Sequence, residues 1–164
     1  MGPILLEGCD GGGKTTLAKF LANKFGLRRI KNGAPEPGED LVQAYLKQVA
    51  PDTIIDRAWP SELIYAPLLK RRPLVSIHES AALFGELSQL GGRVIICLPP
   101  LATCERAWKD RPGELFQDRN ILKAAWDGYS DLAFSFRGES KFLRLHDWRL
   151  DAGNAKLVKW LEEK

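Results

Sequence analysis

The sequence predicts an α/β fold built on a parallel sheet, and three observations carry that prediction. Short β-rich apolar runs alternate along the chain with longer segments of helical spacing. One of those runs, Val94-Ile95-Ile96-Cys97-Leu98, is apolar at every position, which suits a strand covered on both faces by crossover helices. A glycine-rich stretch joins the first apolar run to the first helical segment, the usual place for a strand-to-helix turn in such sheets.

Four strands are predicted, at Pro3–Gly8, Thr53–Arg57, Arg93–Leu98 and Lys141–Leu145. Between them, Leu17, Phe20, Leu21 and Phe25 follow helical spacing, as do Leu63, Tyr65 and Leu68 more loosely. Leu83, Leu87 and Leu90 mark a further helix, opened by a capping box at Ser76-x-x-Glu79, and Leu157, Trp160 and Leu161 mark the last. Pro/Gly/acid composition makes Asn32–Asp40 a surface loop, while Arg71-Arg72-Pro73 and Pro99-Pro100 are further breaks. The segment 109–119 is charge-rich, contains Pro112-Gly113 and reads as a mobile excursion. No repeat or linker divides the chain, so one domain over residues 1–164 is expected.

Composition narrows the class. A domain of 164 residues can bury roughly 70% of its unfolded surface without staples. Three cysteines, Cys9, Cys97 and Cys104, with only two histidines far from them in sequence, argue against a disulfide framework or a zinc site and for a reduced, cytoplasmic compartment. Ile4-Leu5-Leu6 lacks a basic flank and is too short for a secretory core. No stretch approaches the ~20 apolar residues of a membrane span. A net charge of +3 suits anionic small molecules better than sequence-independent nucleic-acid binding.

The most specific motif is Gly8-Cys9-Asp10-Gly11-Gly12-Gly13-Lys14-Thr15, which satisfies G-x-x-x-x-G-K-[ST] between a strand and a helix. Its glycines let backbone N–H groups turn inward around phosphate oxygens at a helix N-terminus. Lys14 then reaches the β/γ-phosphates and Thr15 offers its hydroxyl to Mg²⁺. Cys9 reads as a small filler of the loop. A second constellation follows the strand at Thr53, where Asp56 and Arg57 emerge at a carboxyl end and so face the ligand crevice. Arg57 suits a bidentate phosphate clamp, and Asp56 suits a metal water or an acceptor hydroxyl proton. Ser61 reads as a helix N-cap, and the flat ring of Trp59 as a contact to the acceptor.

Together these residues resemble the thymidylate kinases, in a shortened, phage-like form. Leu5-Leu6-Glu7-Gly8-Cys9-Asp10-Gly11-Gly12-Gly13-Lys14-Thr15-Thr16 is similar to that family's opening, Asp56-Arg57-x-x-x-Ser61-x-x-x-Tyr65 to its strand-end motif, and Pro35-Glu36-Pro37-Gly38 to its Arg-Glu-Pro-Gly loop with Pro35 in place of the arginine. The resemblance implies a P-loop kinase three-layer sandwich with a five-stranded parallel sheet, and phosphoryl transfer from ATP with Mg²⁺ held by Thr15 and Asp56. It adds Thr16 to the residues expected at the nucleotide, puts Asp10 near the acceptor sugar and Arg57 near its phosphate, and brings Tyr65 to the acceptor. Gly11 and Gly12 stand where one branch of the family has an arginine, so a lid arginine is expected to supply that charge. Arg111 is the first choice over Arg106 and Arg119, because Pro112-Gly113 follows it. His146-Asp147-Trp148-Arg149 falls where such kinases border adenine.

The interval from Asn32 to Pro51 is short for that family, so most of the wall around the acceptor base is expected to be missing. The leading expectation is transfer to a deoxynucleoside monophosphate, dTMP-like. The alternative is a kinase acting on a hydroxyl in DNA, such as a 5-hydroxymethyluracil base or a polynucleotide end, in keeping with the cations at Lys14, Lys19, Lys24, Arg28, Arg29 and Lys31 and at Lys70-Arg71-Arg72. A third reading is a nucleotide-binding switch without turnover. Oligomeric state is not legible in the sequence.

Overall fold

The computed structural model describes residues 1–36, 38–109, 118–136, 141–150 and 154–163. Five strands form one sheet: β1 (Ile4–Glu7), β2 (Arg28–Lys31), β3 (Thr53–Asp56), β4 (Arg93–Cys97) and β5 (Leu143–His146). Their order is β2-β3-β1-β4-β5, and every pairing is parallel. The helices among the described residues are α1 (Lys14–Phe25), α2 (Leu41–Gln48), α3 (Trp59–Leu68), α4 (Ile77–Gln89), α5 (Leu101–Lys109), α6 (Arg119–Ser135) and α7 (Ala155–Glu162).

Side chains alternate across the sheet and build two cores. Leu5, Ile55, Val94 and Ile96 join Tyr45, Trp59, Leu83, Leu87 and Tyr129 on one face. Ile4, Leu6, Ile54 and Ile95 join Leu17, Leu21, Leu157 and Trp160 on the other. The inner positions of the central strands are apolar because both faces are covered, which gives the three-layer arrangement the resemblance implies.

Three features differ from expectation. Strand β2, with sequence Arg-Arg-Ile-Lys, lies at the sheet edge, where half-exposed positions tolerate charge and the apolar signal vanishes. Helix α2 occupies part of the interval expected to lack a wall; Asp40 caps it by accepting from the Gln43 N–H, and Leu41 and Tyr45 are its buried face. Strand β5 begins two residues later than predicted. The Ser76/Glu79 capping box opens α4 as its spacing predicts. The lid segment 109–119, and Arg111 with it, lies mostly within residues 110–117, outside the described residues.

In this order the chain leaves β1 toward β3 and β2 on one side and later fills β4 and β5 on the other. The crevice at the carboxyl ends of β1 and β3 is therefore the topological switch point, where ligands of open α/β sheets bind.

Candidate active site

The loop after β1 and the turn after β3 face each other across a single cavity of about 280 Å³. Asp10 to Thr15 form one wall, Lys31 to Pro35 a second, and Asp56, Arg57, Ala58, Ser61, Glu62 and Tyr65 a third, with Tyr45, Leu69 and Arg71 at the side.

The glycine-rich loop folds around the buried Lys14. Its Nζ donates to the carbonyl oxygens of Gly8 (2.6 Å) and Cys9 (2.7 Å), so the ammonium is held inside the loop's concave face. Burial, with Arg57 nearby, pulls the Lys14 pKa below its ordinary value. Gly13 precedes α1 with φ +91, and a Cβ there would lie 2.8 Å from the Trp148 ring. Loop geometry and close packing both require glycine at this position. Helix α1 has no acidic residue in its first turn and no side-chain cap, so its N-terminal N–H groups remain available to an anion.

Thr15 and Asp56 meet at the base of the cavity. Thr15 Oγ1 donates to Asp56 Oδ2 at 3.2 Å, and Arg29 Nη2 donates to the same oxygen at 3.0 Å. Both bonds fall on one carboxylate oxygen, which leaves Oδ1 as a hard-oxygen ligand position beside the threonine hydroxyl. Mg²⁺ takes one or two such protein ligands and completes its octahedron with phosphate oxygens and water, so this donor set fits the ion. Among the described residues no cluster of three or more His, Cys, Asp or Glu forms a site made by protein alone.

Arg57 has a left-handed backbone, φ +72, at the end of β3. A non-glycine residue there is strained and must be held from several sides. Its N–H donates to the Leu6 carbonyl oxygen (3.0 Å), and its own carbonyl oxygen accepts from Asn32 Nδ2 (2.6 Å). The guanidinium forms an ion pair with Asp10 and lies 5.3 Å from the centre of the Tyr65 ring, while the Tyr65 hydroxyl donates to the other Asp10 oxygen at 3.3 Å. Asp10, Arg57 and Tyr65, singled out separately from sequence, are thus one hydrogen-bonded unit facing the cavity.

Beneath this unit lies a buried carboxyl. Glu7, at the last position of β1, accepts from the Ala58 N–H at Oε1 (2.7 Å) and from Ser61 Oγ (2.7 Å) and the Tyr129 hydroxyl (2.9 Å) at Oε2. Ser61 and Tyr129 are themselves 2.8 Å apart. Burial pushes the Glu7 pKa above the ordinary carboxylate range, outweighing these donors. Glu7 Oε2, Ser61 Oγ and the Tyr129 hydroxyl form a closed triangle of short polar contacts. The cluster ties the start of the glycine loop to the turn that carries Arg57.

Trp59 and Ser61 are placed differently from expectation. Trp59 is fully buried, with its ring edge-on to Tyr45 (5.8 Å) and Phe84 (5.3 Å), and does not line the cavity. As the first residue of α3, followed by Pro60, it turns into the core beneath the site. Ser61 serves Glu7 and does not cap α3, whose N-cap is Ala58. Thr16 is exposed on α1 and is not among the residues lining the cavity. Gly8 contributes its carbonyl oxygen to Lys14 and likewise does not line the cavity. Arg119 opens α6 and pairs with Glu105, while Arg106 is exposed on α5. The cation run divides: Lys14 lies within the loop and Arg29 on Asp56, while Lys19, Lys24, Arg28 and Lys31 are exposed. Of the second run, Arg71 pairs with the buried Glu62.

No protein-family model matches this sequence, and no curated protein matches it. Solved structures do match. The YorR protein of Bacillus subtilis, in complex with phosphorylated GDP, aligns over 97% of this chain and 94% of its own, with a TM-score of 0.78 at 20% identity. Deoxyadenosine kinase from M. mycoides with bound dATP aligns over 99% of this chain and 100% of its own, with a TM-score of 0.64 at 18% identity. Its complex with dCTP aligns over 96% of both chains at a TM-score of 0.63 and 19% identity. The fold is that of the P-loop kinases. At these identities the likeness establishes architecture alone; among the described residues, no helix is long and apolar enough to cross a membrane.

Proposed function

We propose that this chain is an ATP- and Mg²⁺-dependent phosphotransferase that delivers a phosphoryl group to a deoxynucleoside monophosphate. The observation that carries this reading is the shared cavity, which has a phosphate loop with a buried lysine on one wall and the Asp10–Arg57–Tyr65 unit on the other. In this reading Lys14 and the N–H groups at the start of α1 stabilise charge on the transferred phosphoryl, and Thr15 with Asp56 holds Mg²⁺. Arg57 exchanges Asp10 for the acceptor's phosphate, while Asp10 and Tyr65 bind its sugar. Arg71 and Lys31, also on the cavity wall, favour an anionic acceptor over a neutral nucleoside. Arg111 is assigned the lid charge on sequence grounds alone. The reaction needs positioning and charge stabilisation more than dedicated acid–base groups.

The test is transfer of labelled phosphate from ATP to three panels: deoxynucleoside monophosphates, deoxynucleosides, and DNA carrying hydroxymethylated bases or free ends. Label on the monophosphates, abolished by Lys14→Ala, is expected. Label confined to nucleosides or to DNA would overturn the acceptor assignment. Tight ATP binding with no labelled acceptor in any panel would instead favour a nucleotide-binding switch.

A further inference from the structure

The glycine loop and α5 carry two thiols in direct contact. Cys9 Sγ donates to Cys104 Sγ at 3.1 Å, and Cys104 Sγ donates onward to the Pro99 carbonyl oxygen at 3.7 Å. Both cysteines are fully buried in the same core, 95 positions apart in sequence. The loop backbone also packs closely on α5 two residues beyond Cys9, since a Cβ at Gly11 would sit 2.4 Å from the Cys104 carbonyl oxygen. The sulfurs need to approach by about 1 Å to reach bonding distance. The hydrogen bond from Cys9 draws the Cys104 thiol below its ordinary pKa. Cys97 differs: it lies in the opposite core, and burial pushes its thiol up to about 12.

We infer that Cys9 and Cys104 form an oxidisable dithiol site whose disulfide locks the phosphate loop to α5 and weakens nucleotide binding. The oxidant is a hydroperoxide. Cys104 attacks hydrogen peroxide as the thiolate, the O–O bond breaks, and one oxygen leaves as water while the other remains on sulfur as the sulfenic acid. Cys9 then displaces that hydroxyl as a second water, so two thiol hydrogens and two electrons pass to one peroxide and one S–S bond forms. The consequence for the loop follows from its hydrogen bonds. The Cys9 carbonyl oxygen accepts from both Lys14 Nζ (2.7 Å) and the Gly12 N–H (3.2 Å). Drawing Cys9 toward α5 moves an acceptor that positions the lysine and the loop backbone together. The functional half of this inference rests on the nucleotide reading above; the chemical half does not.

The experiment treats the native protein with hydrogen peroxide, maps its peptides without reduction, and measures ATP affinity by calorimetry before oxidation, after it, and after dithiothreitol. A Cys9–Cys104 cross-linked peptide, Cys97 still open to alkylation after unfolding, and a roughly tenfold weaker ATP affinity restored by dithiothreitol are expected. Cys104→Ala should bind ATP normally and lose the sensitivity to peroxide. Three free thiols after treatment, or a cross-link involving Cys97, would overturn the site; a disulfide with unchanged ATP affinity would overturn its effect. Failure of even the reduced protein to bind ATP would sink the nucleotide reading, with the peptide map still deciding the disulfide.

Discussion

Replacing Glu7 by glutamine and by alanine separates two roles of the buried carboxyl. Glutamine keeps the shape, accepts from the Ala58 N–H and offers an amide to Ser61 and Tyr129, so its cost is expected to stay near ~1 kcal/mol. Alanine leaves the Ala58 N–H and one of the two hydroxyls without a partner, since Ser61 and Tyr129 can satisfy each other only once. Two such buried groups at ~1–3 kcal/mol each give a loss of about 2–6 kcal/mol. The pH dependence is the sharper readout. Glu7 has a raised pKa in the folded protein, so above the ordinary value of 4.5 the unfolded chain releases a proton that the folded chain retains. Its contribution is fully present below the unfolded pKa and is lost as pH rises through the folded one. Urea unfolding of the wild type and Glu7→Gln from about pH 5 to about pH 8 should show the variant gaining on the wild type by up to ~1.4 kcal/mol per pH unit until the folded pKa is passed. Parallel curves, or a wild type that gains on the variant as pH rises, would refute the raised Glu7 pKa.

Three further substitutions probe the cavity. Gly13→Ala places a Cβ against Trp148 in a left-handed backbone, and should cost ~1–2 kcal/mol in thermal unfolding and weaken ATP binding by calorimetry at least tenfold. Arg57→Ala removes a charged hydrogen-bond donor worth ~1.5–3 kcal/mol, so the acceptor KM should rise by roughly ten- to a hundredfold while ATP affinity stays within about twofold; equal losses on both sides would refute the division of the cavity. Trp59→Phe should lower stability by about 1–3 kcal/mol with the acceptor KM unchanged in steady-state assays, because the ring packs in the core, and a raised KM would return Trp59 to the site.

Much of this architecture was legible because its signals are local. The loop from Gly8 to Thr15 is contiguous, and the inner positions of the central strands are apolar on both faces, so motif and periodicity agree. Strand β2 left no such trace: its Arg28–Lys31 run reads as a charged surface, and only pairing with β3 makes it a strand. Trp59 was misplaced because adjacency to Arg57 in sequence says nothing about direction once the chain turns into α3. Glu7, Tyr129 and Asn32 escaped notice as functional neighbours for a related reason. Glu7 and Tyr129 are 122 positions apart, and their meeting depends on how α6 packs across α3. A buried carboxylate at the end of an otherwise apolar strand was the one available signal, since such a group must find partners somewhere.

The pairing of charges decides how ligands enter this cavity. Four cations, Lys14, Lys31, Arg57 and Arg71, and three carboxylates, Asp10, Asp56 and Glu62, line it. Arg57 already has Asp10, Arg71 has Glu62, Asp56 has Arg29 from the edge strand, and Lys14 has two carbonyl oxygens. An incoming phosphate therefore gains only the difference between its own attraction and that of the partner it displaces. A carboxylate carries one charge and a nucleotide phosphate up to two, so exchange favours the phosphate, by a margin smaller than an unpaired arginine would give. On the proposed reading, Asp10 would then be released from Arg57 but still held by Tyr65, free to accept from a sugar hydroxyl. On the proposed reading, Arg29 would share Asp56 with Mg²⁺, which would tie metal binding on one wall to the edge strand that leads into Asn32 and the support of Arg57 on the other. With Arg57, Arg71 and Asp56 already paired, the proposed acceptor geometry would assemble largely through exchange of partners, with Lys31 as an exposed cation on the wall.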